Sequence, residues 1–143
     1  RYMKSLGLDK PIHIGETGWA SFSTGQYGLD GSKACDEYKE ALYYKHMREW
    51  TNEAGMSCFY FEGFDEPWKG GDNAGNSEKH FGLMTVDGKA KYALWGEVDK
   101  GTFKGLSRNG NPITKTYNGD KKALIKDVLV PPTEEEILAR KSN

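Results

Sequence analysis

The sequence predicts an α/β chain built around a strand–helix–strand unit of the kind that forms (β/α) barrels. Three observations lead there. "KPIHIGE" is a short apolar stretch ending in glycine and a carboxylate, and "MSCFYFEGFDE" at residues 56 to 66 repeats that ending. A helix-length segment lies between them, and residues 56 to 61 run apolar without alternation, the pattern of a parallel strand covered on both faces. In (β/α) barrels the active site sits at the C-terminal ends of the strands, which is where this chain repeats its carboxylates.

Each element has a local cause. Residues 1 to 6 read as the last turn of a helix stopped by Gly7. Pro11 opens the first strand. Residues 20 to 32, rich in Ser, Gly and Thr, are expected to loop, and Ser32 to cap a long helix over residues 33 to 54 that Gly55 ends. That helix carries two apolar stripes, Ala34, Tyr38, Ala41 and Leu42 on one side and Tyr43, Met47, Trp50 and Ala54 on the other. Tyr38, Tyr43, Tyr44 and Trp50 are expected to pack. The rest is less regular. "VDGK" marks a hairpin or loop turn, and two Asn-Gly pairs mark turns near residues 109 and 118. Residues 121 to 129 read as helical, and Thr133 with Glu136 forms a capping box on a last short helix.

Composition narrows the function. The chain has 143 residues and a net charge of −1, so no basic surplus points to nucleic acid. No apolar run approaches the ~18 residues of a membrane span. Arg1 stands where an initiator Met would be, from which an upstream segment is expected. Aromatic residues reach 13%, which suits either a filled core or stacking on sugar rings. Cys35 and Cys58 make no CxxC or metal spacing, and their pairing stays open. His13, His46 and His80 share no ligand spacing, and "GDNAGNSE" does not fit the EF-hand pattern, so no metal or cofactor is expected.

The carboxylates carry the chemistry. Retaining hydrolysis of a glycosidic bond needs two carboxyl groups about 5–5.5 Å apart. They belong on rigid elements, because small misplacement costs rate. Glu16 at the first strand end is one candidate; Asp65, Glu66 and Glu78 are others, with Lys69 as a nearby cation able to keep a carboxylate ionised. Glu62 lies in the second strand, open between a buried network and substrate contact. Trp19 and Trp68 each follow a carboxylate closely and are candidate sugar platforms or core residues. For Glu66 and Glu78, a salt bridge with Lys69 or Lys79 stands beside substrate contact as an alternative.

"IGETGWAS", "FYFEGFDEPWKG" and "EKHFGLM" together resemble glycoside hydrolase family 17, the β-1,3-glucanases and glucanosyltransferases, most closely its bacterial and fungal branch. In that family a strand ends in Glu-Ser/Thr-Gly-Trp-Pro-Ser and the Glu is the nucleophile. Here the motif is Glu16, Thr17, Gly18, Trp19, Ala20 and Ser21, with Ala20 in place of the proline. The family's Phe-Asp/Asn-Glu, Lys, Glu and Phe-Gly-Leu match Phe64, Asp65, Glu66, Lys69, Glu78, Phe81, Gly82 and Leu83. The resemblance implies that Glu66, Lys69 and Glu78 surround the nucleophile, that β-glucan is the substrate partner, and that the protein acts outside the cytoplasm.

It also implies an eight-stranded barrel of about 250 residues. This chain would then hold its C-terminal part, the last two strands and the intervening helix over residues 1–96, with an extension of short helices over 97–143. The family's acid/base Glu follows an Asn at another strand end. Asn52-Glu53 lies inside the long helix, so the acid/base is expected in a missing N-terminal part. A non-catalytic glucan-binding barrel remnant is the alternative, and the isolated chain is expected to be inactive.

Overall fold

The computed structural model describes residues 2–24 and 33–141. The order is α1 (Tyr2–Ser5), β1 (His13–Thr17), α2 (Glu37–Glu53), β2 (Ser57–Tyr60), β3 (Lys89–Ala90), α3 (Trp95–Asp99), β4 (Ser107–Arg108), β5 (Asn111–Pro112), β6 (Thr114–Lys115), α4 (Lys121–Lys126) and α5 (Glu134–Lys141), with single 3-10 turns at Ser77–Lys79, Tyr92–Leu94 and Thr116–Gly119.

The βαβ unit is present. β1 and β2 pair in parallel, His13 opposite Ser57 and Thr17 opposite Tyr60, with a register irregularity between Ile14 and Thr17. α2 connects them. It starts four residues later than expected: Asp36, in extended conformation, is the cap, and its carboxylate accepts from the Lys39 amide at 2.8 Å. The reason lies upstream. Lys33 has φ of 52° and the Ala34 carbonyl is taken by the Trp19 indole at 2.9 Å, so neither joins the helix. Ser32 lies outside the described residues. At the other end Gly55 and Met56 donate to the Asn52 and Thr51 carbonyls, the stop expected there.

Burial differs from the full-barrel expectation at two places. Residues 56 to 61 are expected to be covered on both faces within a complete barrel; in this chain β2 alternates half-buried and exposed, with Phe59 at 67% exposure. The described residues give this sheet only two strands, so a face and both edges stay open. Trp50 was expected to pack and is half exposed. The packing of α2 runs instead through Tyr38 stacked on Tyr92, Tyr43 tilted against Trp19 and Tyr44 edge-on to Tyr60.

The core lies beside the sheet, under the segment from Leu83 to Trp95. Leu83, Met84, Ala90, Trp95 and Leu124 are buried. The Trp95 indole donates to the Ala90 carbonyl at 3.1 Å and the Thr116 hydroxyl at 3.2 Å. β3 pairs in parallel with β6, joining residues before and after position 97. "VDGK" turns as expected, its Thr85 amide donating to the Lys89 carbonyl at 2.9 Å. Asn109 and Gly110 turn β4 into antiparallel β5. α4 stops at Lys126, three residues short of expectation, because the Leu129 amide is committed to the Asp36 carboxylate at 3.1 Å. The capping box on α5 is formed both ways: the Glu136 amide donates to the Thr133 hydroxyl and the Thr133 amide to the Glu136 carboxylate.

Candidate active site

A cleft of about 690 Å³ opens at the C-terminal ends of β1 and β2, lined among others by Glu16, Trp19, Phe61, Lys69, Glu78 and Phe81. Two backbone approaches build it. A Cβ on Gly18 would lie 1.8 Å from the Phe61 carbonyl oxygen, so only glycine lets the two strand ends touch there. A Cβ on Gly82 would lie 2.0 Å from the Asp65 amide nitrogen, which fixes the later segment against the end of β2. Backbone bonds continue the contact, Phe61 donating to Thr17 at 2.7 Å and Glu62 to Phe81 at 3.1 Å. Phe61 and Phe81 meet edge to face at 5.5 Å, and the Phe61–Glu62 peptide is cis. Glu16 falls in the irregular stretch of the ladder and is exposed. Irregularities of this kind re-aim side chains at strand ends.

Charge is concentrated around one cation. The Lys69 ammonium pairs with Glu66 and stands 3.9 Å from a Glu62 carboxylate oxygen. It also lies 4.4 Å from the centre of the Phe61 ring. Burial pushes Glu62 up to about 7, aided by a hydrogen bond and like charge from Glu66 and opposed by Lys69. Glu66 moves the other way, held down first by its bond to Lys69. The Lys69 ammonium is correspondingly held above its ordinary range, chiefly by Glu66. The trio therefore keeps Glu66 ionised and sets Glu62 near neutrality, the range in which a carboxyl exchanges protons efficiently at neutral pH.

The aromatic candidates divide. Trp19 is fixed, its indole bonded to Ala34 and its ring 5.3 Å from Tyr43, whose hydroxyl bonds Thr17. Trp68 is 66% exposed beyond the cleft carboxylates. Glu78 is placed by Asn76, which accepts from the Glu78 amide at 3.0 Å and donates to the Gly70 carbonyl at 2.7 Å. Lys79 is buried and donates to the Pro67 carbonyl at 2.7 Å.

Asp65 serves a different cluster. Its carboxylate accepts from the Gly82 amide at 3.0 Å and from the buried Lys91 ammonium at 2.7 Å. Lys91 also stands 3.7 Å from Glu40, which is fully buried on α2. Burial raises Glu40 well above the usual carboxylate range and raises Glu37 as well. Glu37 accepts from the Thr116 hydroxyl at 2.7 Å and the Tyr92 amide at 3.2 Å. Sequence reading missed Lys91, Glu37 and Glu40. One signal was available: Glu37 and Glu40 share the helix face of Tyr38, Ala41 and Tyr44, and carboxylates on a buried stripe call for a buried partner.

His13 bonds Ser57 and His80 bonds the Ala74 carbonyl. Among the described residues no group of three or more His, Cys, Asp or Glu side chains is arranged to hold a metal ion, and no helix is long and apolar enough to cross a membrane. Cys35 and Cys58 are both free, and burial pushes the Cys35 thiol up to about 11.

The chain is similar to known proteins. The family Glycosyl hydrolases family 17 matches residues 3–95. A glucan 1,3-beta-glucosidase of Arthroderma benhamiae is 41% identical over 102 residues, covering 66% of this chain and 31% of that protein. One from Saccharomyces cerevisiae is 35% identical over 92 residues, covering 60% of this chain and 26% of that protein. The crystal structure of an endo-laminarinase from Formosa is 73% identical with a TM-score of 0.86, over 92% of this chain and 33% of that one. The chain thus spans about a third or less of the length of these relatives.

Proposed function

The chain belongs to glycosyl hydrolases family 17, and on that premise we propose that it is part of a retaining β-1,3-glucanase that cuts laminarin internally, with Glu16 as nucleophile. Family and laminarinase relative together imply a TIM barrel. Residues 1–96 are read as its C-terminal portion, with β1, α2 and β2 as its last strand–helix–strand unit, and residues 97–143 as an extension packed against it. The wide exposure of Phe59 and Ile12 on β2 and before β1 supports the barrel reading, since those faces would meet further strands.

The observation that carries the proposal is the meeting of Glu16, Lys69 and Glu78 in one cleft at the ends of two parallel strands. The 73% identity to an endo-laminarinase supports the choice of substrate and of internal cleavage. In the proposed reaction a Glu16 carboxylate oxygen attacks the anomeric carbon. The glycosidic oxygen leaves with a proton from a carboxylic acid supplied outside these 143 residues. A water, giving its proton back to that same group, then releases the sugar from Glu16 with net retention. Glu62, Glu66 and Lys69 set the charge around the nucleophile, Glu78 borders the bound glucan, and Trp19 and Trp68 offer ring faces to it.

The test is hydrolysis of laminarin by the protein that contains this chain, followed by proton NMR. Early products of mixed length with the β-anomer formed first are expected. Glucan binding without any release of reducing ends would favour a non-catalytic binding barrel and overturn the proposal.

A further inference from the structure

We propose that Lys91 is a positioning residue for the cleft, its ammonium tying together the three segments that carry Glu16, Glu66 and Glu78. The inference rests on the glucanase reading above. Lys91 is 2% exposed. Its ammonium donates to the Asp65 carboxylate at 2.7 Å, the Ser21 hydroxyl at 2.7 Å and the His80 carbonyl at 3.2 Å. Asp65 immediately precedes Glu66, Ser21 lies in the loop that leaves Glu16, and His80 follows Glu78 by two residues. Ser21 itself donates to the His80 carbonyl twice, from its hydroxyl at 3.1 Å and its amide at 2.9 Å. One cation therefore joins every described segment that brings a carboxylate to the cleft, without itself lining it.

Energetics favour a geometric role over a stabilising one. Burying a lysine is costly, and replacing a buried ion pair by apolar residues is often neutral or stabilising. What such a group supplies is a fixed arrangement of its partners. The charged and titratable groups facing it are Asp65 and His80 from the loops and Glu40, with Glu37 behind it, from α2. Burial raises both carboxyls, Glu40 the more strongly, and Lys91 hydrogen-bonds Asp65 at 2.7 Å while standing 3.7 Å from Glu40, which makes Asp65 the counter-charge. The bond is thus directed at the residue next to Glu66.

Lys91→Met alone would leave Asp65 buried without a counter-charge, so the deciding variant is the charge-balanced Lys91→Met/Asp65→Asn in the protein that contains this chain. Three readings are taken: kcat and KM on laminarin, the melting temperature, and the carbon-13 NMR titration of Glu62, whose backbone is held by the segment that follows His80. A positioning role predicts kcat lower by about 100-fold, the size of effect small misplacements produce, with KM within about threefold. It also predicts, in Ser21→Ala, which keeps the Asp65 charge that helps raise Glu62, a Glu62 midpoint falling from about 7 toward the ordinary carboxylate range as the loosened segment admits water. Wild-type kcat in a folded double variant and an unmoved Glu62 midpoint in Ser21→Ala would overturn the proposal. If the double variant does not fold, Ser21→Ala decides. It keeps every charge and is expected to lower kcat by about 3- to 10-fold at constant KM; an unchanged kcat overturns the proposal. If the wild-type protein leaves laminarin intact, the glucanase reading fails, and the Glu62 titration alone decides the role of Lys91.

Discussion

A Glu62 carboxylate oxygen stands 3.9 Å from the Lys69 ammonium, and that ammonium is already paired with Glu66. One cation thus faces two carboxylates that titrate in opposite directions. Glu62 is buried enough to be pushed up to about 7, while Glu66 is held below its ordinary range by direct contact with the lysine. The Glu62 shift arises from burial first and from Glu66 second, with Lys69 opposing both.

Removing the cation should therefore move both carboxyls upward. Lys69→Met is expected to shift the acidic limb of the pH–rate profile on laminarin to higher pH, because the carboxylates lose the charge that keeps them ionised. A pH–rate profile of the variant checks this, and a limb that stays in place would make Lys69 a surface charge.

Glu62 should also leave a mark on stability. Its pKa is about 7 in the folded protein and about 4.5 for an ordinary glutamate. Between those values the folded state holds a proton that the unfolded state has lost. Its contribution to stability is therefore fully present below the lower value and is lost as pH rises through the upper one. Glu40 adds to the same trend from its own buried site. Glu62→Gln should flatten the fall in melting temperature between about pH 4.5 and 7 relative to wild type. Parallel curves for the two proteins would contradict it.

The two strand ends meet at Gly18. A methyl group there would collide with the Phe61 carbonyl oxygen at 1.8 Å, which is backbone and cannot rotate away. Gly18→Ala should cost about 1–3 kcal/mol, the usual size of an overpacking penalty, and should lower activity by spreading the strands. Gly15→Ala is the control, since a Cβ there meets nothing within 4 Å. Denaturant melts of both variants test the contrast, and equal stabilities would refute it.

The contrast between Gly15 and Gly18 also marks what sequence could and could not reveal. The βαβ order, the two carboxylate-bearing strand ends, the Gly55 stop and the Thr133–Glu136 capping box were legible because each depends on neighbours within about one helical turn or on period. The start of α2 was not legible. It depends on Trp19 taking the Ala34 carbonyl, a contact across 15 positions. Glu62 and Lys69 were both noticed, but their pairing was not, since it joins the end of β2 to the loop beyond it. Lys91 was missed altogether. Its sequence neighbours are unremarkable, and its four partners come from residues 21, 40, 65 and 80. Long-range polar clusters leave little trace in local pattern.

Trp68 offers a way to separate binding from folding. It is 66% exposed and stands three residues beyond Asp65. Trp68→Ala should leave stability within about 0.5 kcal/mol, as for most surface changes. Stacking is worth about 0.5–1.5 kcal/mol, so affinity for laminarin oligosaccharides should fall by roughly 2- to 12-fold. Titration calorimetry measures it, and unchanged affinity would remove Trp68 from the glucan path.

The assignment of Glu16 is tested most directly by trapping. A 2-deoxy-2-fluoro laminaribiosyl fluoride forms the glycosyl-enzyme and then turns over too slowly to lose it. Incubated with the protein that contains this chain, it should add one disaccharide, and peptide mapping by mass spectrometry should place that sugar on Glu16 in the peptide bearing "IGETGW". Glu16→Gln should then show no label and a turnover lower by several orders of magnitude. A label on Glu62, Glu66 or Glu78, or a Glu16→Gln protein within about tenfold of wild-type activity, would contradict the account.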